Sequence, residues 1–263
     1  MLVKQPSHRK TLNKNQIRVL KIIFKYRFVT VPLLAEYLHK DKSTVYEQLL
    51  TLVGQELLTK NYDSSYRLPP KAATYCLAAK GIRYLRDTTE LSRRALRNQY
   101  KNKAASEQLV EQCLKTFEFA IRLRRQYEDA FDILSKSDLC EEDDFIRPLP
   151  DLYLQNRSEQ ASAHNYMLEL LEPSIASWLV RKRIRAHCEA ADDVDYLYPH
   201  ILFVVTNDST EKRIQRMLEN VVQDFEFWTT TTARLSSGET RIWREVFEDD
   251  ADDKPLFKSL SLT

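Results

Sequence analysis

The sequence predicts an α+β N-terminal third joined to an α/β remainder built on a mixed sheet. Three observations carry that expectation. Charge divides the chain: residues 1–103 hold 21 Lys and Arg against 7 Asp and Glu, a balance of +14, and residues 104–263 hold 19 against 31, a balance of −12. In the basic part, apolar residues recur at helical spacing up to residue 54 and then give way to two short β-rich runs. In the acidic part, apolar runs alternate with amphipathic stretches, an order that implies a parallel or mixed sheet covered by helices. With 263 residues, 43% of them apolar and 10% aromatic, the chain has material for two cores.

Composition excludes several functions. Only 3 residues are Gly, and neither GxxxxGK[ST] nor GxGxxG occurs, so chemistry built on Gly-rich phosphate loops is excluded. The apolar run 201–205 is far below the ~18 residues of a membrane span. The opening MLVKQPSHRK has no apolar signal core, so a cytoplasmic chain without a membrane partner is expected. Cys76, Cys113, Cys140 and Cys188 form no CxxC pair and read as four reduced, incidental thiols.

The basic part reads element by element. In QIRVLKIIFKY (16–26), Ile17, Leu20, Phe24 and then Phe28 recur at helical spacing, and Asn13 or Asn15 is placed to cap. Thr30 is a natural N-cap for a short helix over 31–38. Its Pro32 is tolerated in the first turn, where a missing N–H costs nothing. His39-Lys40-Asp41 makes a turn. Asp41 then caps a third helix from Lys42 to about Gly54, with Val45, Leu49, Leu52 and Val53 as its apolar stripe. Helix, short helix, tight turn, helix is the helix-turn-helix arrangement, and the third helix would enter the major groove. Ser43, Thr44, Glu47 and Thr51 face outward, with Lys42 and Tyr46 on the flank. Short polar side chains at a helix N-terminus suit base edges and phosphates. The Glu47 carboxylate can accept from cytosine N4 or pair with a neighbouring Lys.

Residues 56–60 and 73–77 read as strands around a polar loop. The segment carries Lys60, Arg67 and Lys71, which describes a wing whose cations meet backbone phosphate. A helix over 79–87 closes the unit with Ile82 and Leu85 inward. A winged helix-turn-helix domain is therefore expected over 1–88, a basic helical linker over 89–104 and an α/β domain over 105–263. A helical bundle with a hairpin, used for protein docking, is the alternative. The +14 balance favours double-stranded DNA.

The second region opens with a helix over 105–123 marked by Leu109, Cys113, Leu114, Phe117 and Ile121. Strands are expected at 131–134, from Pro150-Asp151 to 154, at 166–171, at 200–206 and at 225–232. Helices are expected at 173–190 and 209–222, and 242–247 lies at the edge. HILFVVT (200–206) is nearly unbroken apolar sequence, the mark of a strand buried on both faces.

One constellation there carries chemistry. Asp151 opens one strand and Glu169 sits within the next. Two carboxylates on neighbouring strands, with a Lys two residues after the second, hold Mg²⁺ and polarise a phosphodiester in nucleases. Position 171, where that Lys belongs, is Leu. Lys182 on the following helix is the candidate substitute, and Glu172 adds another carboxylate. With its expected Lys missing, the domain reads as nuclease-like without catalysis and without a cofactor; the alternative is an unrelated α/β domain, with Asp151 as a loop cap and Glu169 as a satisfied or rim residue. An active version would use Asp151 and Glu169 as metal ligands, Lys182 and Mg²⁺. The five His residues show no metal-ligand spacing, and no GxSxG occurs. Trp178, Trp228 and Trp243 are expected in the core.

In this order of features the chain resembles the replication-relaxation family of bacterial plasmids and other mobile elements, from Leu12 to about Val246. The carriers are the helix-turn-helix segment and the exit YRLPPKAATYCLAAKGIRYL, a Tyr-x-Leu strand running into a Gly-containing helix. Pro150-Asp151, Glu169, the Lys182 helix, HILFVVT, FEFWTTTTARL and Ile242-Trp243-Arg244 then follow in the family's order. The resemblance implies a DNA-binding protein of replication, relaxation or mobilisation with a nuclease-like C-terminal domain, acting beside other replication or relaxosome proteins. The family often carries Asp two residues after the Glu, and this chain has Leu171. The alternatives are a metal-dependent DNA nuclease and a winged-helix repressor of its own element. The stripe over 105–123 can serve a homodimer reading paired half-sites.

Overall fold

The computed structural model describes residues 12–62, 72–89, 91, 93–127, 130–140, 142, 145–158, 164–173, 175–219, 221, 223–249 and 255–260. The chain divides into two compact units, Met1–Ala104 and Ala105–Thr263. The first is α+β with helices leading. The second is built on a mixed β-sheet.

The first unit begins with α1 (Lys14–Tyr26). Asn13 Oδ1 accepts from the Gln16 N–H at 2.8 Å, and Gln16 Oε1 accepts from the Asn13 N–H at 3.0 Å, a reciprocal cap. β1 (Val29–Thr30), α2 (Val31–Leu38) and α3 (Lys42–Gly54) follow. Neither Thr30 nor Asp41 makes its expected side-chain cap. Asp41 instead uses its carbonyl, which accepts from the Val45 N–H at 3.1 Å. β2 (Leu58–Asn61) and β3 (Thr74–Leu77) complete an antiparallel sheet in the order β1-β3-β2, with Val29 opposite Tyr75 and Leu58 opposite Leu77. Val19, Leu20, Phe24, Leu34, Val45 and Leu49 are buried as its core. α4 (Ala79–Thr88) crosses so close to the chain entering β2 that a Cβ on Gly81 would lie 2.2 Å from the Leu57 carbonyl oxygen. Only glycine permits that approach.

The segment expected as a basic linker is packed on α1. It forms α5 (Arg93–Arg97) and a 3₁₀ turn, Asn98–Ala104. Gln99 Nε2 donates to the Phe24 carbonyl at 2.8 Å, one of the acceptors a helix end leaves open. Asn102 Oδ1 accepts from Arg27 Nε at 3.0 Å and Nη2 at 2.7 Å, and Asn102 Nδ2 donates to Gln99 Oε1 at 2.8 Å. This buried clamp holds Arg27, which ends α1 at a φ of 67°.

The second unit runs α6 (Glu107–Tyr127), β4 (Phe131–Ser135), α7 (Lys136–Leu139), β5 (Leu152–Asn156), β6 (Tyr166–Leu170) and α8 (Ser177–Asp192). It continues β7 (His200–Val205), α9 (Asp208–Leu218), β8 (Phe227–Thr231), α10 (Thr232–Ser237), β9 (Trp243–Asp249) and β10 (Pro255–Lys258). The sheet order is β10-β9-β8-β7-β6-β5-β4. β6, β7 and β8 are mutually parallel and the flanking pairs antiparallel. One face presents Tyr153, Met167, Ile201, Phe203, Val205 and Phe227 to Val180 and Ile184 of α8 and to Ile214 and Leu218 of α9. Asn207, not Ser209 or Asp208, caps α9, accepting from the Thr210 N–H at 2.9 Å. Trp228 and Trp243 are buried as expected, but Trp178, in the first turn of α8, is 65% exposed. Among the described residues, no helix is long and apolar enough to cross a membrane.

Candidate functional site

In the first unit the outward face of α3 is open. Lys42, Ser43, Thr44, Tyr46 and Glu47 are exposed, while Val45 and Leu49 are buried. Glu47 has no cation partner among the described residues. Lys42 and Thr44 also line a cleft of about 780 Å³ at the α2–α3 turn, beside His39 and Lys40. Lys60, at the end of β2, lies 5.6 Å from the ring centroid of Tyr46 and 5.7 Å from that of Tyr62. The structure thus brings the ammonium and two exposed aromatic rings together beside α3. Arg67 and Lys71 lie outside the described residues.

In the second unit Asp151 and Glu169 are both buried on the sheet face under α8, and each is met by a cation of its own chain. Asp151 precedes β5. Its Oδ2 accepts from the Leu170 N–H at 2.8 Å and its Oδ1 receives Lys136 Nζ at 2.6 Å. Lys136 is the first residue of α7. There Asp138 Oδ2 fixes the turn by accepting from the Ser135 N–H at 2.7 Å and from Ser135 Oγ at 3.0 Å. Glu169, in β6, accepts from Arg183 Nη1 at 2.9 Å on Oε2 and from His187 Nε2 at 2.9 Å on Oε1. Beyond it, the Tyr198 hydroxyl lies 3.0 Å from His187 Nδ1.

The electrostatics follow from these contacts. Burial by itself would push the Glu169 carboxyl up. The His187 hydrogen bond, with the charges of His187, Arg183 and Lys136, outweighs burial and holds the group below its usual range. Burial, the Glu169 charge and the neighbouring Tyr196 and Cys188 push the Tyr198 hydroxyl up, so it keeps its proton. An ionised Glu169 accepts only, so His187 donates to it from Nε2.

Lys182, the expected substitute, is exposed on α8 and is not brought to the carboxylates. One residue further on, Arg183 faces Glu169, and Lys136 arrives from α7 to face Asp151. Glu172 is engaged elsewhere, with Gln108 Nε2 donating to it at 2.6 Å. The set fits Mg²⁺ poorly. A divalent ion between Asp151 and Glu169 would meet the Lys136 ammonium and the Arg183 guanidinium, and all four carboxylate oxygens already take donors. Among the described residues no group of three or more His, Cys, Asp or Glu is placed to hold a metal.

Neither protein-family models, nor curated proteins, nor solved structures give a match to this chain.

Proposed function

We propose that the first unit is a winged-helix module that binds double-stranded DNA. The second is then a nuclease-like scaffold that does not cleave. The observation that carries this reading is the β1-β3-β2 antiparallel sheet behind three helices, with the exposed face of α3 immediately before the β2–β3 hairpin. That order of elements, in a unit with a balance of +14, is the arrangement in which α3 enters a major groove and the hairpin cations meet phosphate. Lys42, Ser43, Thr44, Tyr46 and Glu47 act from α3, and Lys60, Arg67 and Lys71 from the hairpin. The resemblance to the replication-relaxation family supports a place in plasmid replication, relaxation or mobilisation, beside other proteins of those assemblies.

The absence of turnover rests on the second unit. Lys136 and Arg183 neutralise the two carboxylates that a metal would need. Replacing Lys42, Lys60, Arg67 and Lys71 together by Ala is expected to weaken duplex binding and to make its salt dependence shallower by about 3 to 4 units of log K per log salt. Unchanged affinity in that variant would refute the assignment of the surface.

A further inference from the structure

α8 and α9 carry cations that make no ion pair with another described residue. Arg181 and Arg185, one turn apart on α8, and Arg216, in the last turn of α9, flank a groove of about 540 Å³ floored by Ile184, Met217 and Val221. All three arginines are exposed, and none makes a hydrogen bond or ion pair with a described residue. Three arginines of this unit are engaged by carboxylates: Arg183 by Glu169, Arg157 by Asp132, and Arg234 by Glu211 and Asp208. In a unit with a balance of −12, three adjacent arginines without a carboxylate stand out as a site kept for an external anion.

We infer that this groove is a second phosphate-binding surface, which takes the sugar–phosphate backbone of double-stranded DNA. The inference rests on the DNA-binding reading of the first unit. Guanidinium forks match phosphate oxygens in pairs. Arg181 and Arg185 stand about 6 Å apart along the helix axis, so they can engage separate phosphates of one strand. Aliphatic side chains between the guanidiniums suit the apolar faces of the sugars that alternate with phosphates. Lys182 and Lys212 are exposed on the same two helices.

The test is a salt series of duplex binding by the full chain, read by fluorescence anisotropy. The variant is Arg181→Gln, Arg185→Gln and Arg216→Gln together, which keeps part of each aliphatic stem. The control, Lys115→Gln, Arg125→Gln and Arg241→Gln, removes the same charge elsewhere in the unit. The groove variant is expected to make the slope of log K against log salt shallower by about 2 to 3, the control by less than about 1. Its tryptophan-detected melting is expected to match the wild type, since the three guanidiniums make no hydrogen bond or ion pair with a described residue. A slope unchanged, or changed equally by the control, overturns the groove alone. A wild-type chain that binds no duplex overturns the parent reading and the groove with it.

Discussion

Replacing Glu169 by Ala is expected to cost the second unit more than any surface change. The carboxylate is 4% exposed and accepts from two donors at 2.9 Å, Arg183 Nη1 and His187 Nε2. Removal leaves His187, itself fully buried, without its Nε2 acceptor, and leaves Arg183 partly buried without a counter-charge. Breaking a buried pair in this way costs about 3–5 kcal/mol, mainly because the stranded partners stay desolvated. For a unit of this size that corresponds to a fall in Tm of roughly 6–20 °C. The assay is direct, because Trp178, Trp228 and Trp243 all lie in the second unit and their fluorescence reports it alone. Glu169→Gln, which keeps the shape but loses the charge, is expected to fall between Ala and the wild type. A Glu169→Ala melt within about 1 °C of the wild type would refute the claim that this cluster is an internally satisfied, stabilising network.

Two further outcomes follow from other contacts. Burial, with His164 at a ring-centroid distance of 4.3 Å, pushes His200 from its ordinary 6.5 down to about 4 against the opposing charge of Glu226, and His200 Nδ1 accepts from the Glu226 N–H. The unfolded chain therefore binds the extra proton first. Stability present above pH 6.5 is lost as the pH falls toward 4, by up to about 3 kcal/mol, and the lowered Glu169 carboxyl continues the loss at lower pH. A tryptophan-detected urea titration at stepped pH reads this, and His200→Phe is expected to flatten the upper part of the slope. Gly81→Ala places a Cβ 2.2 Å from the Leu57 carbonyl oxygen, an overpacking that costs about 1–3 kcal/mol. Far-UV circular dichroism is expected to show the first unit melting earlier while the tryptophan transition stays in place.

Much of the first unit was legible because its signals are local. The reciprocal cap of Asn13 and Gln16, the helical spacing of Leu20 and Phe24 and the Pro32 entry all act within one or two turns. β1 was not legible, because two residues carry no periodicity and Val29–Thr30 is a strand only through its pairing with β3. The packing of Asn98–Ala104 escaped for a different reason: its anchors, Gln99 and Asn102, are polar side chains that read as solvated in a basic stretch. In the second unit the order of strands and helices was readable, and so was the pairing of Asp151 with Glu169 as neighbours. Lys136 was not readable as their partner. It meets Asp151 only because β4 runs antiparallel to β5 and α7 turns back at its end, a tertiary coincidence of residues 15 apart. α10 was not legible at all: it begins at the last residue of the Thr-rich run 225–232 that reads as strand, and Thr231 caps it by accepting from the Arg234 N–H at 3.3 Å.

The most direct measurement is one gel of supercoiled plasmid with the full chain and Mg²⁺ or Mn²⁺, run with and without removal of protein before loading. The account predicts a mobility shift that disappears on deproteinisation and leaves the supercoil intact. Nicked or linear DNA that persists after deproteinisation, and is lost in Asp151→Ala, would contradict it by making the second unit a working nuclease.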